Sequence, residues 1–249
     1  MSDATMSDAT VPDATGADYC ATMVRDRDRD RWLATLYAPV AVRPALFALH
    51  ALDLEMAAVV ATTTEAMLGE IRLAWWREAL TKLDAGTVPG QPVLAALAAH
   101  VLPLGVTGRS LEPLEDAFLS LLIEERLAGQ ILSDHVDRRG GTLFAALATV
   151  LGVAQASSRR LGRIWALGEL VRPEIKAPPI DPADAGTLLA DGAAGGRGAA
   201  RLARPLRPLG ALARFAAADI RHALDGGQVG LRGSAGRQAR LLWAVATGR

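Results

Sequence analysis

The side chains of this chain that could do metal chemistry are its carboxylates, and few of them are spaced to do it. Mg²⁺ wants oxygen ligands in a tight octahedron, commonly one or two carboxylates plus phosphate oxygens. On a helix, carboxylates at i and i+4 share a face and can grip one ion. Asp53 and Glu55 stand two apart, about 200° around a helix, so one metal cannot easily see both. Facing solvent or pairing with Arg72 is the plainer reading for them. Asp134 and Asp137 are the well-spaced aspartate pair of the helical region. Arg138 and Arg139 adjoin them, however, and Gly140-Gly141 marks a helix break or a close approach.

Other candidates are equally two-sided. Trp75 and Trp76 could line an apolar tunnel, but adjacent residues cannot both face one cavity squarely, and such tryptophans more often bury area in a core. Arg72 and Arg77 could hold a phosphate or anchor helices through salt bridges. Arg25 to Arg31 alternates Arg and Asp; the pattern reads as a solvated, ion-paired face, with a diphosphate clamp as the sharper alternative. His50, His100, His135 and His222 lack zinc spacing. Gly192–Gly198 lacks the Lys-Ser/Thr of a phosphate loop, and no Gly-x-Ser-x-Gly element supports hydrolase chemistry.

These side chains must be held by helices, because no strand pattern occurs. The chain has 249 residues, 51% of them hydrophobic, enough for a sizeable core. Lys+Arg and Asp+Glu are both 27, which argues against nucleic acid as a partner. No apolar run reaches the roughly 18 residues of a span, and the acidic N-terminus has no signal-peptide core. The expectation is a cytoplasmic protein, with transient peripheral contact at the inner membrane compatible with zero net charge. Residues 1–17, built on three near-copies of one tetrapeptide, read as a disordered tail, and 18–249 as one all-helical domain.

Helices are expected over Val24–Tyr37, Pro44–Ala61 and a segment capped by Thr64 and ended by Gly86. Leu46, Leu49, Leu52, Met56 and Val59 mark one face of the second, and Met67, Ile71, Trp75 and Leu83 are apolar positions of the third. Further helices fit Val93–Leu102, Glu112–Ser133, Thr142–Gly152, Ser157–Val171, Leu209–Leu224 and Ser234–Thr247. Pro173, Pro178, Pro179 and Pro182 interrupt, and Ala185–Arg197 is rich enough in Gly and Ala to be mobile.

The segments APVAVRPALFALHALDLEM (Ala38–Met56) and MLGEIRLAWWREAL (Met67–Leu80) resemble the squalene/phytoene synthase family. Arg72, Trp75, Trp76 and Arg77 carry its most specific mark. The resemblance continues weakly through Phe118–Gly152 and Gly162–Arg172, and the domain looks degenerate after about 173. It implies an all-α, isoprenoid-synthase-like bundle around a central cavity. Active members carry two aspartate-rich motifs that hold Mg²⁺ against diphosphate. The positions that align with those aspartates are here Ala57, Ala58 and Ala61, then Pro173 and Ala177. Gly-Glu-Ile-Arg-x-x-Trp-Trp, with Gly90-Gln91-Pro92-Val93 after it, looks like the divergent branch that includes mitochondrial complex I assembly factors. The branch implies a non-catalytic assembly or interaction factor, with no cofactor, a respiratory subunit as protein partner, and a cavity suited to a prenyl or lipid ligand. The competing expectation is a Mg²⁺-dependent prenyltransferase joining two prenyl diphosphates head to head, with carboxylates recruited from Glu125, Asp134 or Asp137.

Overall fold

Apolar residues at helical spacing, punctuated by Pro and Gly, build twelve α-helices among the residues that the computed structural model describes, 13–194 and 202–248. They are α1 (Asp13–Arg27), α2 (Arg29–Thr35), α3 (Arg43–Thr62), α4 (Ala66–Asp84), α5 (Pro92–Ala96), α6 (Pro113–Ile123), α7 (Gly129–Val136), α8 (Thr142–Val150), α9 (Gln155–Leu170), α10 (Pro182–Ala194), α11 (Arg207–Leu224) and α12 (Ala235–Thr247). Among these residues no strands pair into a sheet; one isolated parallel bridge joins Leu127 to Ile180.

The centre is α3. Its expected face of Leu46, Leu49, Leu52, Met56 and Val59 is buried, with Pro44 in the first turn where its missing N–H costs nothing. Helices α1, α2, α5, α6 and α8 pack around it. With the turn before it, Val40–Thr62 is apolar enough by length and composition to cross a membrane, despite Arg43, Asp53 and Glu55. Yet 67% of its most apolar window is buried inside the fold, the condition of a core helix.

Helix α9 lies against α8 and α11. Two glycines permit this. The chain passes from α7 to α8 through one π-turn, Asp137–Gly141, and there Gly140 meets Gly162 backbone to backbone; a Cβ on either would run into the other's carbonyl. Of the two readings of Gly140-Gly141, the close approach is the one realised.

Five expectations need correction. Helix α1 begins at Asp13, inside the segment read as a tail; residues 1–12 lie outside the described residues. Glu65, not Thr64, occupies the N-cap of α4, with no side-chain cap. The helix expected over 112–133 is split in two, because Leu127 leaves helical geometry to exchange backbone bonds with the proline-rich strand-like segment: its N–H donates to Pro179 O at 3.0 Å and its carbonyl accepts from Asp181 N at 2.9 Å. The Gly/Ala stretch is helical as α10 up to Ala194, and 195–197 fall outside the described residues.

The fifth correction concerns α4. Met67, Ile71 and Trp75 are 68%, 61% and 45% exposed, with Leu68 beside them. The buried face is Gly69, Leu73, Trp76, Leu80 and Leu83. Both faces of this helix are apolar, so periodicity alone could not choose between them. Gly69 lies on the buried face, where its missing Cβ leaves room for the Leu122 side chain of α6.

The glycine contact gives a test. Gly140→Ala should lower unfolding stability by about 1–3 kcal/mol, as overpacking does. Gly141→Ala, whose Cβ would sit 3.8 Å from its nearest neighbours, should be neutral or stabilising by up to about 1 kcal/mol. Urea unfolding of both variants measures it; equal stability would contradict this packing.

Candidate functional site

A cavity of about 320 Å³ opens between the C-terminal half of α3, the ends of α1 and α6, and the segment after α9. Ala57, Ala58 and Ala61 form one wall, at successive positions of one α3 face, with Leu54, Phe118 and Leu121 extending the apolar lining. Basic groups border the rest: Arg27, Arg31, Arg139, Lys176 and Arg232, against one acid, Glu174. Lys176 reaches across the mouth to donate to the Thr63 carbonyl at 2.6 Å.

Beneath the cavity lies a buried network of arginines and carboxylates. Asp53 on α3 accepts from Arg139 Nε at 2.9 Å, Arg31 Nη1 at 2.8 Å and Arg139 Nη2 at 3.1 Å. Asp28, the N-cap of α2, takes Arg31 Nε at 2.7 Å and also contacts Arg232. Arg232 in turn grips Glu169 of α9 at 2.9 and 3.0 Å. Asp219 of α11 receives a two-pronged grip from Arg237 of α12 (2.9 and 3.0 Å) and a bond from Arg172 at 2.7 Å. Asp30 accepts from Arg237 Nε at 2.7 Å. Phe118 and Trp165 lie under the guanidinium of Arg139, and Phe215 under that of Arg237.

This network counts five carboxylates (Asp28, Asp30, Asp53, Glu169, Asp219) and five guanidiniums (Arg31, Arg139, Arg172, Arg232, Arg237), so its charges cancel. Burial alone would raise the pKa of Asp53, but Arg139 and Arg31 outweigh it and hold it at about 2. Burial raises Glu169 against the opposing pull of Arg31, Arg139 and Arg172. Burial and then Arg237 push Arg232 down to about 9, which leaves it protonated at neutral pH.

Mg²⁺ does not fit these residues. The cavity wall that faces the interior offers alanine methyls, and the buried carboxylates below it are neutralised by guanidiniums. Among the described residues, no three His, Cys, Asp or Glu side chains gather as a metal cluster. Helix α9 ends at Leu170, so Pro173 and Ala177 lie beyond it. Glu174, Ile175 and Lys176 border the cavity instead.

The candidates read from sequence scatter. Asp53 joins the network, but its expected partner Arg72 instead donates to the Thr62 and Thr63 hydroxyls at 3.2 and 3.3 Å. Glu55 accepts from the Tyr19 hydroxyl at 3.2 Å. Trp76 is core and Trp75 is exposed, their rings edge to face at 5.2 Å. Arg77, half-exposed, pairs at 3.5 Å with the buried Glu115, an anchor between α4 and α6 away from the cavity. Glu125 is exposed in the α6–α7 turn. Asp134 and Asp137 are half-exposed and pair with Arg138 (4.0 Å) and Arg163 (3.3 Å); neither lines the cavity. The Arg-Asp alternation is not a solvated face: Asp28, Asp30 and Arg31 are buried while Arg25, Arg27 and Arg29 are exposed. Their charges find partners from α3, α12 and the loop before α12, which only the tertiary fold supplies. Sequence reading missed Arg139, Glu169, Arg172, Asp219, Arg232 and Arg237 as a set, because they come from separate stretches of the chain, around 139, 169–172, 219 and 232–237. The one signal was a chain with two lysines, Lys82 and Lys176, among its 27 basic residues, arginine being the cation suited to buried pairing.

Residues 24–172 match the family described as squalene/phytoene synthase. The human protein named NADH dehydrogenase (ubiquinone) complex I, assembly factor 6 is 31% identical over 98 residues, 39% of this chain and 29% of that protein. The mouse protein of the same name is 28% identical over 136 residues, 54% of this chain and 41% of its own length. The chain spans less than half the length of these curated relatives. A dehydrosqualene synthase crystallised in complex with ligand shares the fold, with a TM-score of 0.71 over 93% of this chain and 95% of that one at 12% identity.

Two outcomes test the network. Asp53→Asn removes the charge that two buried guanidiniums require, so it should cost about 3–5 kcal/mol of stability by urea unfolding; a neutral effect would contradict the pairing. Burial, with Arg31 beside His50 and Arg139 beside His135, holds both imidazoles down at about 3. The unfolded chain therefore takes up protons first below 6.5. Stability should fall from there toward pH 3 by roughly 1.4 kcal/mol per pH unit for each histidine. Asp53 adds a further loss as pH drops from 3.8 through about 2. Glu169, shifted the other way, blunts the decline near 4.5. His135→Gln should flatten the profile between pH 6 and 5; an unchanged slope would contradict a neutral buried imidazole.

Proposed function

This chain belongs to the squalene/phytoene synthase family, and from that premise we propose that it works without turnover, as an assembly or interaction factor for the respiratory NADH dehydrogenase. One observation carries the reading. Ala57, Ala58 and Ala61, which align with a metal-binding motif, line the cavity as bare methyls, while the acids left nearby are neutralised by arginines. A diphosphate ester needs its leaving group neutralised by metal ions for ionisation, and this wall has no oxygen to hold one. The competing prenyltransferase reading needs recruited carboxylates, and Glu125, Asp134 and Asp137 stand away from the cavity. The cavity itself then retains a prenyl or lipid compound rather than converting it.

The partner and place of action come from the relatives, whose printed name is an assembly factor of complex I. We place the protein in the cytoplasm with transient contact at the inner membrane, where that complex sits. An assembly role needs a surface, and exposed contiguous apolar side chains are the common mark of one. On α4 that surface is Met67, Leu68, Ile71 and Trp75.

A strain lacking this protein should therefore show a reduced level and activity of NADH dehydrogenase. A normal level and activity would contradict the assembly role. Complementation with Met67→Ser/Ile71→Ser should fail to restore the complex although the purified variant keeps its unfolding stability, since both side chains are exposed. Full restoration would remove α4 as the docking face.

A further inference from the structure

We propose that α12 is the docking face for an anionic lipid bilayer, with Leu242 and Trp243 entering the headgroup layer and the unpaired arginines of α11 and α12 drawing that layer in. This rests on the reading that the protein makes transient contact with a membrane, and it names the surface and the lipid class.

The zero net charge of the chain hides an uneven distribution. Residues 202–248 hold seven arginines, no lysine and two acids, Asp219 and Asp225. Arg232, Arg237 and Asp219 are spent inside the buried network. That leaves Arg204, Arg207, Arg214, Arg221 and Arg240 against Asp225, and none of the five has a carboxylate partner among the described residues. Arg204, Arg214, Arg221 and Arg240 are exposed, while Arg207 donates to the last carbonyls of α12, at Val245 and Ala246, over 2.9 and 3.1 Å. A local excess of this kind sets up a positive field over its own surface even on a neutral protein.

Apolar groups stand among these cations. Helix α12 packs on α11 and buries Arg237, Leu241 and Ala244. Away from that contact, Leu242 and Trp243 are 58% and 56% exposed. Arg240 lies three residues before Trp243, on the same side of the helix, and Ala239 and Ala246 lie three before and four after Leu242, all of them exposed. Arginine beside leucine and tryptophan is the composition of helices that lie in a membrane interface. There the indole sits at headgroup depth and the guanidinium takes phosphate oxygens.

Charge also separates this face from the apolar patch on α4. Glu65, Glu70 and Glu78 are exposed beside Met67, Ile71 and Trp75, so an anionic bilayer is repelled there and a protein partner is not. No acid occurs from Gly226 to Gly248, so on α12 attraction and apolar insertion act together. One short helix with two large apolar side chains binds weakly and reversibly, as transient contact requires.

Sedimentation of the purified full-length protein with vesicles tests this. Vesicles of equal parts phosphatidylglycerol and phosphatidylcholine should bind it about tenfold or more tightly than phosphatidylcholine alone, and the difference should vanish near 1 M salt, where charges are screened within about 3 Å. Arg221→Gln/Arg240→Gln should weaken binding roughly 25-fold, at about fivefold per cation. Leu242→Ser/Trp243→Ser should weaken it by a similar factor, with the unfolding midpoint kept because both side chains are more than half exposed. Met67→Ser/Ile71→Ser should bind as the parent does. If the Leu242 and Trp243 variant does not fold, the arginine variant decides alone. Parent-like binding by the folded α12 variants would overturn the inference and leave membrane contact to another surface. Failure of the parent to bind either vesicle would overturn it together with the reading of membrane contact. Binding to an oligouridylate in preference to the anionic vesicles would overturn it and assign the arginines to nucleic acid.

Discussion

Five buried carboxylates facing five guanidiniums form the constraint on which the rest of this fold depends. Taking one such charge out of water costs several kcal/mol, so the network is tolerable only when every member has its partner. Those partners lie far apart in sequence. Asp30 meets Arg237 across 207 residues, and Asp53 meets Arg139 across 86. The network therefore closes the bundle, tying α2 and α3 at the front of the chain to α9, α11 and α12 at the back. It needs all of these elements in place at once, and α9 can reach its position only through the backbone contact of Gly162 with Gly140.

The same network explains why the cavity floor holds acids but no metal site. Asp53 stands four residues before Ala57, and Glu169 four before Pro173. On each of the two facing elements a carboxylate survives one helical turn ahead of the aligned ligand position, and on each it is taken by arginine. A guanidinium gives fixed, planar donors and stabilises the acid where it stands, but it leaves no open coordination position. A neutral floor lies beneath an alanine wall.

Much of this was legible in the residues. Helical periodicity located α3 and its buried face, and the segments around Trp75-Trp76 identified the family and the aligned alanines of the cavity wall. Pro173 signalled the end of the second motif's helix, and α9 stops just before it. What was not legible has one physical origin: a charged or apolar side chain on a helix does not announce which face will find a partner. Asp28, Asp30 and Arg31 look like a solvated stripe until Arg232 and Arg237 arrive from more than 200 residues away. Met67, Ile71 and Trp75 look like core until Gly69 admits Leu122 on the opposite side. The turn at Leu127 depended on a backbone partner at Pro179 and Asp181 that no local pattern announces.

The central claim is that this cavity has exchanged metal-assisted ionisation for shape and contact. Incubation of the purified protein with farnesyl or geranylgeranyl diphosphate and Mg²⁺, followed by diphosphate release and product analysis, tests it most directly. The account predicts release no faster than in the absence of protein and no joined product. Protein-dependent diphosphate release with formation of a head-to-head product would contradict it.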